Sequence, residues 1–311
     1  MEWQTRVTQL LGIRYPIIEG AMGIIGTTDL ALAISDAGGL GMITASALRT
    51  PERLRREIRR AKSMTDKPFA VNFSPAMNPV LSAMLEVAIE EKVPVIETAG
   101  YRAVDQGKRV KEAGLIWIHK VTTVRHAMAA ERDGADAVCI SCFEGVVLKH
   151  PTTLTTLVTI PLAVKYVRVP IIAAGGIGDA RTFLAALALG AEAVMMGTVI
   201  MALKECPLSD RRKQALVKAD PYDPEWRDEI YTTPKLEDFD KLVKEGHSAS
   251  LGAVLQAAAK VEGRMQGTSG TSHYPASSAV GFIERVVTAK ELIDSIIKGA
   301  EEILTEMAKR L

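Results

Sequence analysis

The chain has 311 residues, of which 48% are hydrophobic, 24% charged and 5% aromatic. This mix is typical of a globular enzyme and excludes a disordered, collagen-like or fibrous chain. Lys and Arg number 38 and Asp and Glu 37, so the net charge of +1 gives no general attraction for nucleic acid or membrane surfaces. At about 150 residues per domain, the length predicts two domains or one large barrel with additions.

Cysteine usage and hydropathy indicate a cytoplasmic protein. Three cysteines cannot form a disulfide framework, and the first residues lack the apolar core of a secretion signal. The apolar stretches fall short of the ~18 residues that a membrane helix needs. Cys139 and Cys142 are three residues apart on an expected strand and would point to opposite faces, which argues against a redox disulfide. No cluster of residues has metal-ligand spacing, so no metal is expected.

Short, nearly continuous apolar runs are typical of strands in a parallel sheet that is covered on both faces. They lie at Pro16–Gly20, Leu40–Thr44, Phe69–Phe73, Val93–Thr98, Ile116–Lys120, Ala137–Ser141, Pro170–Ala174 and Ala193–Met196. Helical patterns separate them, at Asp29–Asp36, Pro51–Ser63, Pro79–Glu91, Ala103–Ala113, Val124–Asp133, Thr155–Tyr166 and Asp179–Leu189. Eight such units within about 200 residues predict a TIM (β/α)8 barrel, with a doubly wound sheet as the alternative.

The pattern changes after the eighth strand. Residues 205–280 are richer in charge, proline, glycine and serine, and we expect a mainly helical insertion or lid over the barrel mouth. Thr288 and Glu291 form the sequence signature of a capping box, followed by an amphipathic stripe. The expected organisation is therefore a barrel over residues 1–204, completed by a closing helix within residues 281–311.

Glycines follow the last two expected strands, where TIM barrels usually bind phosphate. Gly175 and Gly176 come after strand seven, and Gly197 and Thr198 after strand eight. Converging backbone N–H groups and helix N-termini would favour an anion there. The alternative is that these glycines only form tight turns. Lys120 ends an apolar strand, and its charge would be expensive to bury without a partner.

Several short motifs recur in a family-specific order. They are Gly20-Ala21-Met22-Gly23, Ala37-Gly38-Gly39-Leu40-Gly41, Val71-Asn72, His119-Lys120, Ala173-Ala174-Gly175-Gly176-Ile177, Gly190-Ala191-Glu192-Ala193-Val194 and Met196-Gly197-Thr198. The chain therefore resembles the nitronate monooxygenase family, formerly called 2-nitropropane dioxygenases. This family includes FMN-dependent enoyl-ACP reductases and NADH:quinone reductases.

The resemblance implies an FMN-binding barrel. The residues that it assigns to the cofactor site are Ala21, Met22, Gly23, Asn72, Lys120, Ser141, Gly175, Gly176, Gly197 and Thr198. The last four would hold the phosphate, and the others would lie around the ring. A cation such as Lys120 would also act in catalysis, because it would stabilise the negative charge of the reduced ring. Lys120 could instead be a salt-bridged or exposed lysine without a catalytic role.

One segment departs from the family pattern. The family's catalytic histidine falls on Leu148 here, and His150 lies two residues later. Either His150 enters the site as the base or the base is absent. A nitronate is already a carbanion equivalent and can be oxidised without a base. A neutral nitroalkane would lose the ~10²–10⁴-fold contribution of a positioned base.

The leading functional hypothesis is an FMN-dependent oxidoreductase that oxidises an alkyl nitronate or related carbanion-like substrate, with O₂ as acceptor. The same fold and flavin could instead serve an NAD(P)H-using enoyl thioester or quinone reductase. A flavin-free dehydrogenase with Cys142 as nucleophile and a flavin-binding protein without the catalytic histidine are further alternatives. The expected partners are a small-molecule substrate and O₂ or NAD(P)H. The oligomeric state stays open, with a homodimer as one option.

Overall fold

Eight parallel strands form one sheet that curls into a nearly closed barrel. A computed structural model describes residues 2–73, 81–100, 102–145, 152–223 and 276–310. The strands are β1 (Ile17–Glu19), β2 (Gly41–Thr44), β3 (Phe69–Phe73), β4 (Val95–Ala99), β5 (Ile116–Val121), β6 (Ala137–Ser141), β7 (Ile171–Ala174) and β8 (Ala193–Met196). Their order is β1-β8-β7-β6-β5-β4-β3-β2. The predicted TIM barrel is therefore confirmed, with all eight strands where the apolar runs indicated.

At the seam between β1 and β2 the ladder thins to a single bridge, between Ile18 and Leu40. Backbone bonds continue on either side of it, with Leu40 N donating to Ile17 O and Glu19 N to Leu40 O, both at 2.9 Å. The next donor, Met42 N, bonds the Glu19 carboxylate at 2.9 Å instead of a backbone carbonyl. A buried side chain thus completes the closure.

Most of the barrel interior is filled by apolar side chains from alternate strand positions, because side chains alternate between the two faces of a strand. This inner cluster consists of Ile18, Leu40, Met42, Ala70, Val95, Ile118, Ala137, Cys139, Ile172, Ala174, Ala193 and Met195. A short helix that the sequence analysis did not predict, α1 (Arg6–Leu11), adds Val7 and Leu11 to it. The interior is thus a packed core rather than a pore.

Helices surround the barrel, and a second apolar cluster fills the space between them and the strands. They are α2 (Thr28–Asp36), α3 (Ala45–Leu48), α4 (Pro51–Met64), α5 (Leu81–Glu90), α6 (Val104–Glu112), α7 (Val124–Arg132), α8 (Thr156–Tyr166), α9 (Ala180–Ala188), α10 (Asp210–Val217) and α11 (Ala289–Ala308). Short 3₁₀ turns lie at Gly23–Ile25, Val199–Ala202 and Ser278–Phe282.

The closing helix α11 matches its sequence signature. The Thr288 hydroxyl accepts from Glu291 N and the Glu291 carboxylate accepts from Thr288 N, which forms the expected capping box. Its buried stripe (Ile293, Ile296, Ile297, Ala300) packs against the barrel's helical layer, beside α2 and α9. Most of the expected 205–280 insertion lies outside the described residues. No helix in the described ranges is long and apolar enough to cross a membrane.

Candidate active site

The site residues indicated by the sequence gather at the carboxyl edge of the barrel. Ala21, Met22 and Gly23 follow β1, and Met22 N donates to Thr44 Oγ1 of β2 at 3.3 Å. Gly20 N donates to Met196 O at 2.7 Å, which brings the end of β1 beside the end of β8. Because all eight strands are parallel, the residues that follow them share one end of the barrel.

A buried polar network lies inside this edge. Lys120 of β5 points into the barrel, and its ammonium Nζ lies 3.2 Å from Glu97 Oε1 of β4. The other carboxylate oxygen, Glu97 Oε2, accepts a hydrogen bond from Asn72 Nδ2 of β3. Asn72 and Glu97 are register partners on neighbouring strands, so the sheet itself aligns them. Three adjacent strands thus contribute one amide, one carboxylate and one cation.

The Asn72 amide has one hydrogen-bond acceptor without a partner in the described part of the chain. Asn72 is 1% exposed, and among the described residues no group donates to its Oδ1 oxygen. A buried oxygen without a partner is unfavourable by about 1–3 kcal/mol. The atom is therefore a ready acceptor for an N–H group of a bound molecule.

The charge of Lys120 is maintained by its neighbour. Burial opposes the ammonium, but attraction to the nearby groups, Glu97 foremost, together outweighs it, so the pKa of Lys120 lies above its ordinary value. The Met195 Sδ atom lies 3.9 Å from Nζ and 3.6 Å from Cys139 Sγ. Lys120 is therefore a salt-bridged lysine, as the alternative to a catalytic role described, but its partner Glu97 is itself fully buried.

Glycines shape the β7 and β8 side of the edge. Gly175 and Gly176 have φ values of +110° and +71°, which L side chains rarely adopt. A Cβ on Gly175 would lie 2.8 Å from Gly145 N, whereas a Cβ on Gly197 would meet nothing within 4 Å. Gly175 and Gly176 are thus required by their backbone conformation and by the close approach of Gly145 and Glu144, whereas Gly197 leaves open space where a phosphate is expected.

Two side-chain contacts fix the loops around these glycines. Glu144 accepts from Thr156 N at 3.0 Å and from Thr156 Oγ1 at 2.9 Å, and Thr156 Oγ1 also bonds Gly175 O at 3.1 Å. On the other side, Ser277 N donates to Thr198 Oγ1 at 3.0 Å. These contacts tie Glu144 and Thr156 to the loop after β7, and Ser277 to the end of β8.

The remaining sequence candidates divide into three groups. His119 faces away from the barrel interior: its Nδ1 lies 2.7 Å from Thr98 Oγ1, and burial lowers its pKa to about 4, which assigns it a structural role. Ser141 ends β6 and is buried at the edge. The proposed base His150, and Leu148 at the family's histidine position, lie outside the described residues.

Cys139 and Cys142 point to opposite faces of the sheet, as the alternation of side chains along a strand predicts. Cys139 belongs to the inner cluster and Cys142 to the cluster between strands and helices. Burial raises the pKa of Cys142 to about 12. A thiol in that state is a poor nucleophile, which weakens the alternative of a cysteine-based dehydrogenase.

Two buried carboxylates were missed by the sequence analysis. Glu97 and Glu19 both stand in strands that otherwise consist of apolar or small residues, and both are 0% exposed. The available signal was the unpartnered charge predicted for Lys120. A search for an acidic residue inside a neighbouring strand would have led to Glu97.

The family model described as nitronate monooxygenase matches residues 4–299. The chain belongs to this family. A probable nitronate monooxygenase from Staphylococcus saprophyticus is 28% identical over 98% of this chain and 99% of the relative. The structure of FabK from Thermotoga maritima superposes with a TM-score of 0.82 and is 32% identical, over 99% of both chains.

Another relative carries a different activity in its name. The (3aS,4S,5R,7aS)-5-hydroxy-7a-methyl-1-oxo-octahydro-1H-indene-4-carboxyl-CoA dehydrogenase of Mycobacterium tuberculosis is 35% identical over 220 residues, covering 70% of this chain and 61% of the relative. The chain thus spans about three fifths of that enzyme's length. Members of this family are oxidoreductases.

Proposed function

We propose that the protein is an FMN-dependent oxidoreductase that oxidises an alkyl nitronate or a related carbanion-like substrate, with O₂ as acceptor. The observation that carries the proposal is the Asn72 Oδ1 oxygen, which has no partner among the described residues and whose amide shares Glu97 with the Lys120 ammonium, at the edge where Gly197 leaves open space. A ligand with a flat polar ring and a phosphate would use both features.

The residues fit the flavin's chemistry. When bound, FMN supplies the acceptor for an electron pair from the substrate. Asn72 Oδ1 would accept the ring's imide N–H, and Lys120 would favour the negative charge that the ring gains. The N–H groups around Gly176, Gly197 and Thr198 would bind the phosphate. Ala21, Met22, Gly23, Ser141 and Gly175 would form the remaining walls of the cofactor site.

A nitronate suits a site without an assigned base. Its carbon already carries the electron pair, so oxidation requires no proton abstraction. If neither His150 nor another group replaces the family histidine, nitronates should be oxidised far better than neutral nitroalkanes. The expected ratio is about 10²–10⁴, the usual contribution of a positioned base. The variant Leu148→His should then increase activity toward nitroalkanes more than activity toward nitronates.

Anaerobic stopped-flow with the purified protein tests this function. The protein should show the visible absorption of oxidised flavin. An alkyl nitronate should bleach this absorption at a rate no slower than steady-state turnover. Addition of O₂ should then restore it. Bleaching by NADH or NADPH, with no response to a nitronate, would overturn the nitronate assignment while leaving the flavoprotein intact. A colourless protein that takes up no FMN would overturn the proposal entirely.

A second candidate is a redox reaction on an acyl thioester, with NAD(P)H as partner. It is favoured by the similarity to the mycobacterial carboxyl-CoA dehydrogenase and by a cavity of about 740 Å³ that opens beside Gly175 and Gly176. Leu189, Tyr222 and Phe282 lie in its wall, so a long, partly apolar substrate would find room beside the glycines. In the same stopped-flow experiment, NAD(P)H would then reduce the flavin, and an enoyl-CoA would reoxidise it as its C=C bond takes up the two electrons and two protons.

A further inference from the structure

Glu97 is a fully buried carboxylate that the cofactor assignment does not use. Its side chain is 0% exposed, it stands in the middle of β4, and both of its oxygens face polar groups of the candidate site. A buried anion in a strand is unfavourable unless it is paired. Its place in the site therefore calls for a function.

In the described part of the chain, Glu97 makes its polar contacts with Lys120 and Asn72, the two residues that would face the flavin. Oε1 lies 3.2 Å from Lys120 Nζ, and Oε2 accepts from Asn72 Nδ2. Because Nδ2 is bound to the carboxylate, the amide has only one orientation, with Oδ1 left as the free acceptor. The carboxylate thus determines both the position of the cation and the direction of the amide.

We propose that Glu97 is a positioning residue that holds the Lys120 ammonium and the Asn72 amide toward the ring of FMN. The inference rests on the proposed flavin function and extends it. As the buried counter-ion of Lys120, Glu97 keeps that cation charged before the ring is reduced. Reduction then adds negative charge next to an ammonium that is already present, and Lys120 takes up no proton.

The groups that face Lys120 in the described part of the chain support this role. Glu97 comes from β4, Cys139 from β6 and Met195 from β8. Burial raises the pKa of the Cys139 thiol, so this group stays neutral, and the methionine carries no charge. Glu97 is therefore the anion available to balance the buried ammonium.

The test is the pH dependence of the midpoint potential of bound FMN in Glu97→Gln. With Lys120 charged throughout, wild-type reduction to the anionic ring takes up one proton per two electrons, about 30 mV per pH unit. In Glu97→Gln the ammonium loses its counter-ion and deprotonates in the oxidised protein, then regains the proton on reduction. The slope should double to about 59 mV per pH unit.

Two further variants separate this role from a structural one. Thr98→Val changes the next residue of β4, which is equally buried but bonds Trp117 and His119 on the opposite face. It should keep the wild-type slope. The double variant Glu97→Gln with Lys120→Met removes both charges and, at alkaline pH where reduced flavin is anionic without a nearby cation, should also return to one proton per two electrons.

The outcomes are distinct. A wild-type flavoprotein whose slope does not change in Glu97→Gln would overturn the inference and leave the proposed function standing. So would a doubled slope that persists without Lys120. A wild-type protein that binds no FMN would overturn both. If Glu97→Gln does not fold, a folded double variant supports the counter-ion role, whereas failure of both variants assigns Glu97 to the framework and overturns the inference.

Discussion

Glu19 occupies the seam of the barrel as a buried carboxyl group, and its protonation should affect stability. Its Oε2 accepts from Met42 N, while among the described residues no group bonds Oε1. Burial outweighs the backbone hydrogen bond and raises the pKa of Glu19 from 4.5 to about 8. At neutral pH the folded protein therefore holds a proton at this site that the unfolded chain releases.

The sign of the pH dependence follows from this difference. Between about pH 4.5 and pH 8 the folded state binds more protons than the unfolded state, so this group lowers the stability as pH rises, by about 1.4 kcal/mol per unit. Glu19→Gln keeps an acceptor for Met42 N and removes the titration. The wild-type Tm should therefore fall relative to that of Glu19→Gln as pH rises through this range. Parallel Tm curves for the two proteins would contradict the assignment.

The sequence predicts which end of the barrel Lys120 and Asn72 occupy, but only the pairing of strands in the sheet shows which residue joins them. Lys120 and Asn72 stand at the ends of recognisable strands, so a position at the carboxyl edge could be predicted. Their link through Glu97 could not, because it depends on the register that places Asn72 opposite Glu97 and on the inward direction of both side chains. Registers between strands that are far apart in sequence are not written in any local pattern.

At the scale of elements, local sequence patterns were sufficient to predict helix boundaries where a glycine ends the helix or a capping residue begins it. Gly38, Gly114, Gly134 and Gly190 come directly after or close behind the ends of predicted helices, and all have positive φ values. The helix α1 was missed because its six residues are too few to show a clear periodicity. The inner cluster that α1 packs against forms only when all eight strands come together, so no local sequence pattern indicates it.

The packing of α6 on β5 depends on one glycine. Gly107 lies in the middle of α6, and a Cβ there would stand 2.3 Å from the Trp117 ring. The ring cannot easily turn away, because Trp117 Nε1 donates to Thr98 Oγ1 at 2.8 Å. Helix propensity alone would make Gly107→Ala stabilising by up to about 1 kcal/mol, but overpacking should reverse the sign and destabilise by about 1–3 kcal/mol.

Chemical denaturation of a double-mutant cycle checks this contact. Gly107→Ala should be destabilising in the wild-type background and neutral or stabilising in the Trp117→Leu background, where the smaller side chain leaves room for the methyl group. An equal effect of Gly107→Ala in both backgrounds would show that the ring is not what requires glycine. The comparison cancels the large effect of losing Trp117 itself.

For the whole molecule, the barrel joins strands that are far apart in the chain, so a ligand bound across its carboxyl edge should stabilise all of it. FMN that binds the folded state alone raises the free energy of unfolding by about 2.7 kcal/mol at 100 times its Kd. Riboflavin, which lacks the phosphate, should stabilise much less if the glycines of the β7 and β8 loops bind that group.

Gly197→Val distinguishes a phosphate site from a mere turn. A Cβ at this position meets nothing within 4 Å, so the variant should fold with a Tm near that of the wild type in the absence of FMN. Its side chain would fill the space proposed for the phosphate, and the extra stabilisation by FMN over riboflavin should disappear. Thermal denaturation with each ligand measures both effects. A variant that retains the full FMN response would place the phosphate elsewhere on the barrel edge.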